Sequence, residues 1–362
     1  MEPTRFPTRG GAPPPTNSTA TFFPDVMTRA PFARRPVAPQ SSISPHSSVA
    51  LTSSSSQQQQ QSNKEGFVVP QKNIKTPMDL NRFLVSDTYK VLLTWIEALN
   101  NSVKRKANTV DCTVSPTVSG MASLVKKLSQ MVDEVPPEEG SMRFGNKAFR
   151  TWHQQLVERV EDLHKEVLPE SLHPAIIELS AYLLDSFGNS TRIDYGTGHE
   201  LHFVLWMYCF YALGLVKQED MTALVTRVFS EYLSLVRKIQ TTYGQEPAGS
   251  RGVWCLDDHQ FVPFIWGAAQ LIDNDSIKPD AIMNQQLVER EGDNYLYLGC
   301  IRHINRVKSG PFFEHSPDLY NISGASSWLK INKGMIRKYI DDVLKKFPVM
   351  QHLLFGSLFR FE

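Results

Sequence analysis

From residue 76 onward, apolar side chains recur at helical spacing, and the punctuation between them is that of helix caps. Thr76-Pro77-Met78-Asp79 supplies an N-cap hydroxyl, a proline at the first helical position and an acid near the positive end of the dipole. Leu80, Phe83 and Leu84 follow as the buried face. Ser86-Asp87 caps a second helix whose buried side is predicted as Val91, Leu92, Trp95, Ile96 and Leu99. Residues 100–118 are polar and break the period. Met121, Leu124, Val125, Leu128, Met131 and Val132 then make a third helix, stopped by Pro136-Pro137. Phe149, Trp152, Leu156, Val160, Leu163 and Val167 mark a fourth. Ser171-Leu172-His173-Pro174 opens a fifth, through Ile176, Ile177, Leu183, Leu184 and Phe187 to Gly188. The stretch 201–215 is apolar almost all round, which predicts a fully buried helix. Met221 to Ile239 keeps a 3.6 period over more than five turns and Gly244 closes it. Further helices are predicted over 261–272, 295–307 and 328–347, the last stopped by Pro348. The apolar C-terminus, Phe347 to Leu358, is expected to fold back onto the body. Strands are hardly needed, and the fold class is all-α.

Composition shortens the folded part. Residues 1–65 are rich in Pro, Ser, Thr and Gln, with Ser53 to Ser56 running into Gln57 to Gln61, and show no period. Such a segment cannot bury enough apolar surface to offset its ordering entropy, so it reads as a disordered low-complexity tail preceding one domain over 66–362. Its Arg5, Arg9, Arg29, Arg34 and Arg35 against Glu2 and Asp25 give it the charge bias of a transit peptide, but no amphipathic helix emerges. The formal net charge of +1 argues against nucleic acid as a partner. The longest apolar run, Leu201 to Val216, is too short to span a membrane and contains Tyr and His. Cys112, Cys209, Cys255 and Cys300 lack CxxC spacing and read as reduced packing residues of a cytosolic protein.

The chemistry concentrates in Asn189-Ser190-Thr191-Arg192-Ile193-Asp194-Tyr195-Gly196-Thr197-Gly198-His199-Glu200, a polar stretch between two core helices. Gly196 and Gly198 let a ligand approach the backbone, the next helix start offers free N–H groups to an anion, Arg192 adds a forked cation and Thr197 a hydroxyl. A Gly-x-Gly with no third glycine and no Lys-Ser/Thr is neither a dinucleotide fingerprint nor a P-loop, so on spacing alone the stretch reads first as a capped interhelical loop and second as an anion site. Asp257 or Asp258 either caps the following helix or, as a hard oxygen ligand, holds magnesium against a phosphate chain. Arg143 to Trp152 either grips a phosphate or peptide, or is a helix start with two core aromatics and solvated cations. His199 and Glu200 point about 100° apart on a helix, which favours a structural glutamate over an acid/base pair. No nucleophile triad or metal-ligand histidine pair can be assembled.

Five motifs in order carry a resemblance: Arg143-Phe144-Gly145-Asn146; Asp194-Tyr195-Gly196-Thr197-Gly198-His199-Glu200; Glu246-Pro247-Ala248-Gly249-Ser250 with Gly252-Val253-Trp254 and Leu256-Asp257-Asp258; Gly310-Pro311-Phe312 with Glu314-His315-Ser316; and Phe347-Pro348-Val349 with Gln351-His352. Together they resemble the phosphotyrosyl phosphatase activator family, activators of serine/threonine protein phosphatase 2A, from about residue 66 to the C-terminus. The resemblance implies an all-α fold with core, linker and lid parts around a deep groove. It implies binding to the phosphatase catalytic subunit and, with ATP and Mg2+, conversion of inactive phosphatase to the active form. Carried over by motif, Arg192, Thr197 and Gly198 meet the nucleotide phosphates, and Pro348, Val349, Met350, Gln351 and His352 line the nucleotide. Gly252 through its carbonyl and Asp258 through its carboxylate sit at the metal, and the surface at Val253 and Trp254 grips the phosphatase. A passive, non-enzymatic scaffold is the alternative.

The family is also assigned peptidyl-prolyl cis-trans isomerase activity on a proline-containing segment. Such an enzyme needs no nucleophile: the X-Pro barrier is about 20 kcal/mol and its isomers are nearly balanced, so preferential binding of the twisted amide suffices. Trp254, Trp266 and Phe312 are the aromatics considered for that groove, and no catalytic residue is named. Cytoplasm is the expected compartment, with the nucleus as a second. Cys255 departs from the family pattern, where a small residue is common, and the tail lies outside the resemblance.

Overall fold

Several helices begin where a side chain accepts the first orphaned N–H groups. A computed structural model of the chain describes residues 66–140, 143–249 and 255–361, so the tail and Gly252, Val253 and Trp254 lie outside the described residues. Helix α1 (Pro77–Val85) opens on Thr76, whose hydroxyl accepts from Asp79 N while the Asp79 carboxylate accepts from Thr76 N, a reciprocal capping box. In α2 (Asp87–Ser102) Ser86 accepts from Tyr89 N, and in α3 (Pro116–Glu134) Ser115 accepts from Val118 N. Helix α3 thus starts inside the stretch that the polar pattern assigned to a break, and Val118 is buried. Val91, expected in the core, is 39% exposed because α2 rests only one side on the body.

Helix α4 (Ala148–Lys165) is followed by a 3-10 turn (Glu170–Ala175) and α5 (Ile176–Leu184), on which Ile177 faces outward. The chain then makes a second 3-10 turn, Asp185–Phe187, and ends it at Gly188 with φ 108°. Helix α6 (Thr197–Ala212) is buried on every side over Leu201 to Met207, as its unbroken apolar run requires. The predicted long helix is one rod in three pieces: α7 (Met221–Ala223), a π turn (Leu224–Phe229) and α8 (Ser230–Tyr243), closed by Gly244 in the left-handed region. Helices α9 (Val262–Gln270), α11 (Leu296–Val307) and α14 (Trp328–Tyr339) pack on one another, with α10 (Gln285–Glu291), α12 (Phe312–His315) and α13 (Pro317–Ser323) in between. Helix α13 and the segment around α10 carried no strong period and were not foreseen. Pro348 does not stop a helix: α14 relaxes through a π turn (Ile340–Leu344), and Pro348 sits in the first turn of α15 (Phe347–Met350), where its missing N–H costs nothing.

One hydrophobic core runs through all of these elements. Every tryptophan among the described residues is buried with its N–H satisfied: Trp95 donates to Val204 O, Trp152 to Leu128 O, Trp206 to His164, Trp266 to Ile96 O and Trp328 to Ile277 O. Asn100 and Asn332 exchange side-chain hydrogen bonds, and Asn332 donates to Ile265 O, joining α2, α14 and α9. The chain end does fold back. Strand β1 (Gln71–Lys72) pairs antiparallel with β4 (Leu354–Phe355), and buried Glu178 on α5 accepts from Val68 N, Leu358 N and the Ser357 hydroxyl. A second short sheet, parallel, joins β2 (Asp194–Tyr195) to β3 (Glu246–Pro247).

Two buried groups make the stability of this fold depend on pH. Glu200, in the first turns of α6, is fully buried and one carboxylate oxygen accepts from Phe261 N and Val262 N, both at 2.9 Å, capping α9. Burial pushes its pKa up from 4.5 to about 8, against the two N–H groups that favour the charge. His164 accepts the Trp206 N–H on Nε2 at 2.9 Å, so its proton sits on Nδ1 and donates to Val160 O at 2.7 Å; burial holds its pKa down at about 4.

Between pH 4.5 and 8 the folded state holds a proton on Glu200 that the unfolded chain releases, so stability falls as pH rises through that window. Denaturant unfolding should show this alkaline loss, on the order of a few kcal/mol, flattened in Glu200→Gln. Glu200→Ala should cost on the order of 2–4 kcal/mol at neutral pH, since it strands two buried N–H groups. For His164 the sign reverses: stability is lost as pH falls from 6.5 through about 4. The acid loss should shrink by roughly 2–3 kcal/mol in His164→Gln.

Candidate functional site

The loop from Asn189 to Gly196 is held from three sides. Its own Asn189 Oδ1 accepts from Thr191 N and Arg192 N at 3.0 and 2.9 Å, an Asx-type turn, and Asn189 N donates to Asp194 O. Buried Ile193 is forced to φ 54°, a conformation that a β-branched residue takes only when its surroundings over-determine it. Gly145 packs directly on that side chain at φ 80°, leaving no room for a Cβ. Arg150 then clamps the outside, Nε to Ser190 O at 3.1 Å and Nη2 to Thr191 O at 3.0 Å. The basic cluster of residues 143–150 was read as a grip on phosphate or peptide, or as solvated cations; its Arg150 grips backbone carbonyls of the neighbouring loop.

The fourth constraint is the parallel pairing of β2 with β3. Glu246 N donates to Ile193 O at 3.0 Å and Ala248 N to Tyr195 O at 2.8 Å, and Gly196 lies so close to Ala248 O that a Cβ there would stand 2.9 Å from it. Two glycine-bearing loops some fifty residues apart are thereby laid side by side. Tyr195 points inward, its hydroxyl 2.7 Å from Tyr232 and that hydroxyl donating to Ser186 O.

At the start of α6 the N–H groups of Thr197 and Gly198 have no intrahelical acceptor, as at every helix N-terminus, and point out of it. A Cβ at Gly198 would touch Val349 at 3.5 Å, so α15 borders the same opening. In that segment Pro348 and His352 are exposed, Val349 and Gln351 half-buried, and Met350 is fully buried in the core, which leaves its side chain no face to a ligand. Gln351 donates to Pro348 O at 3.2 Å. The pKa of His352 is lowered by partial burial of its ring and by the positive charges of Lys72 and Arg192, against Asp185 and Asp194, so these groups share one field. Arg192 is half-exposed and its Nε donates to Asp194 at 2.6 Å, while the other Asp194 oxygen is buried without a hydrogen-bond partner. His199 bonds Gly196 N through Nδ1 at 3.3 Å and stacks on Tyr195; burial pushes its pKa down to about 4, so it is neutral at pH 7.

The two acids of the second loop divide their work. Asp257 accepts from His259 N at 3.0 Å and Gln260 N at 2.9 Å, fixing the turn, so it is not the cap of α9, a role that falls to Glu200. Asp258 is a quarter exposed and meets Lys308 Nζ at 2.8 Å. Among the described residues no three His, Cys, Asp or Glu side chains gather into a metal site. A magnesium ion held by one carboxylate and substrate phosphates needs none, and Asp258 already carries a cation at contact distance, so the donor set fits such an ion. Trp266, considered for an exposed aromatic groove, is fully buried in the core instead. Arg150, Ile193 and Lys308 gave no sequence signal beyond their type; their roles come from partners 40 to 50 residues away.

A family model described as "Phosphotyrosyl phosphate activator (PTPA) protein" matches residues 70–361. The probable serine/threonine-protein phosphatase 2A activator 1 of Dictyostelium discoideum is 51% identical over 297 residues, covering 82% of this chain and 91% of that relative. Serine/threonine-protein phosphatase 2A activator 1 of Schizosaccharomyces pombe is 41% identical over 299 residues, covering 82% and 92%. A crystal structure of the PP2A phosphatase activator Ypa1 superposes with a TM-score of 0.74 at 34% identity, covering 82% of this chain and 96% of that one. With a matching family model over four-fifths of its length and a shared all-α fold, the chain belongs to the phosphotyrosyl phosphatase activator (PTPA) family.

Proposed function

We propose that this chain activates the catalytic subunit of serine/threonine protein phosphatase 2A, or a closely related phosphatase, using ATP and magnesium. The relatives' names supply the phosphatase. What supports the nucleotide is the joining of the two glycine loops by β2 and β3, with the α6 N-terminus and half-exposed Arg192 at one end and Asp258 beyond the other. Thr197 and Gly198 would donate backbone N–H groups to phosphate oxygens, and Arg192 would exchange Asp194 for phosphate through its planar fork. Asp258 would hold the magnesium, which supplies charge neutralisation to the phosphate chain when bound. A nucleotide gripped at this edge and completed by the partner acts as a latch that reshapes the phosphatase metal site; no bond to the nucleotide need break.

An isomerase acting on proline-containing segments is the second reading. The observation in its favour is an apolar cleft of about 530 Å3 between α2 and the end of α6, with Trp95, Tyr208 and Tyr211 in its wall, the kind of aromatic surface on which proline rings stack.

Arg192→Ala and Asp258→Ala, singly or together, should abolish ATP-dependent phosphatase activation while far-UV circular dichroism stays unchanged. Nucleotide affinity measured with the catalytic subunit present should fall roughly tenfold or more for Arg192→Ala, the size of one lost charged hydrogen bond. Folding stability should fall by roughly 1–3 kcal/mol, because each change leaves a sheltered partner, Asp194 or Lys308, without its counter-charge. Activation that survives both changes would leave a passive scaffold. In a protease-free proline-peptide assay, Tyr211→Ala should cut isomerisation several-fold; unaltered turnover would remove the cleft from consideration.

A further inference from the structure

The motif Gly310-Pro311-Phe312 with Glu314-His315-Ser316 is unused by the nucleotide reading, yet the residue that leads into it lies against that site. Lys308 is the C-cap of α11, its N–H bonded to Ile304 O at 2.9 Å, and α11 is fixed along its length against α9. Its ammonium reaches Asp258 at 2.8 Å, with both side chains about three-quarters buried. Asp258 in turn stands on a turn that Asp257 has locked through His259 N and Gln260 N. His315 lies within the field of both partners, its pKa lowered by burial and Lys308 and raised by Asp258. Two anchored elements therefore present a lysine and an aspartate to each other.

We propose that Lys308 is the resident counter-cation of Asp258 and competes with magnesium for it, so that this lysine sets the metal requirement of nucleotide binding. The proposal rests on the magnesium reading of Asp258. A carboxylate cannot give both oxygens' charge to an ammonium and to Mg2+ at full strength, and a pair this sheltered is screened less than a surface ion pair. Metal entry would move the ammonium off Asp258, leaving it beside the carbonyls that end α11, where a positive charge is favoured.

The test measures the affinity of a fluorescent ATP analogue by anisotropy in Mg2+ and in EDTA, with the phosphatase catalytic subunit present, and takes the ratio. Lys308→Met should raise this magnesium enhancement about fivefold with affinity in EDTA unchanged, whereas Lys308→Arg should stay near wild type. Asp258→Asn should collapse the ratio towards one, and Lys308→Met added to it should change nothing further. If Asp258→Asn collapses the ratio but Lys308→Met leaves or lowers it, or weakens binding equally in EDTA, Lys308 is no competitor and the magnesium reading stands alone. If Asp258→Asn leaves the ratio intact, the magnesium reading fails and this proposal with it. Thermal unfolding of Lys308→Met and Lys308→Arg distinguishes an affinity change from a folding defect.

Discussion

The hydrogen bonds from Phe261 N and Val262 N to Glu200 set the frame for everything around the candidate site. Glu200 lies within the buried start of α6, so its carboxylate has no water to turn to, and its position is dictated by the core. By capping α9 it brings the far end of the 246–260 loop to the place where the 189–196 loop begins its own helix. The parallel pairing of β2 and β3 ties the near ends. Both described ends of that loop are thus tied to the elements around the 189–196 loop.

Charge in this region is already balanced within the chain. Arg192 rests on Asp194, and Asp258 on Lys308. An unpaired cation or anion half-sheltered from water would cost stability, so a site of the proposed kind, for phosphate and metal, needs partners for its own ligands in their absence. Exchanging one ion partner for another costs far less than creating a bare charge, which keeps such a site both stable and ready. Burial likewise removes the charge of His199, while Lys72 and Arg192 lower the pKa of His352 against Asp185 and Asp194.

Much of the helical frame was legible because caps and periods are local. Thr76, Ser86 and Ser115 accept from the N–H groups three residues on, and Gly244 ends its helix in the left-handed region. The failures have one origin. Val91 and Ile177 match the period but face outward, since a helix on the rim of a core has a narrower buried stripe than its sequence allows. Trp266 was assigned to a groove because aromatics suit one, and it lies in the core, where its N–H meets Ile96 O. Pro348 was read as a stop, and the next turn uses it as a start.

The order of apolar and polar residues by itself determined that the chain is helical, where most helices begin, and that α6 is buried on all sides, because each of these depends on neighbours within one or two turns. It also singled out the stretch from Asn189 to Glu200 as chemically dense. Only the tertiary structure decided that Glu200 caps α9, that Arg150 clamps the loop at Ser190 and Thr191, that Asp257 builds a turn while Asp258 meets Lys308, and that Met350 faces inward. Apart from the local Asp257 turn, the hydrogen bonds and ion pair among them join residues 40 to 62 positions apart, and a contact at that separation is set by the packing of whole helices, which no local pattern encodes.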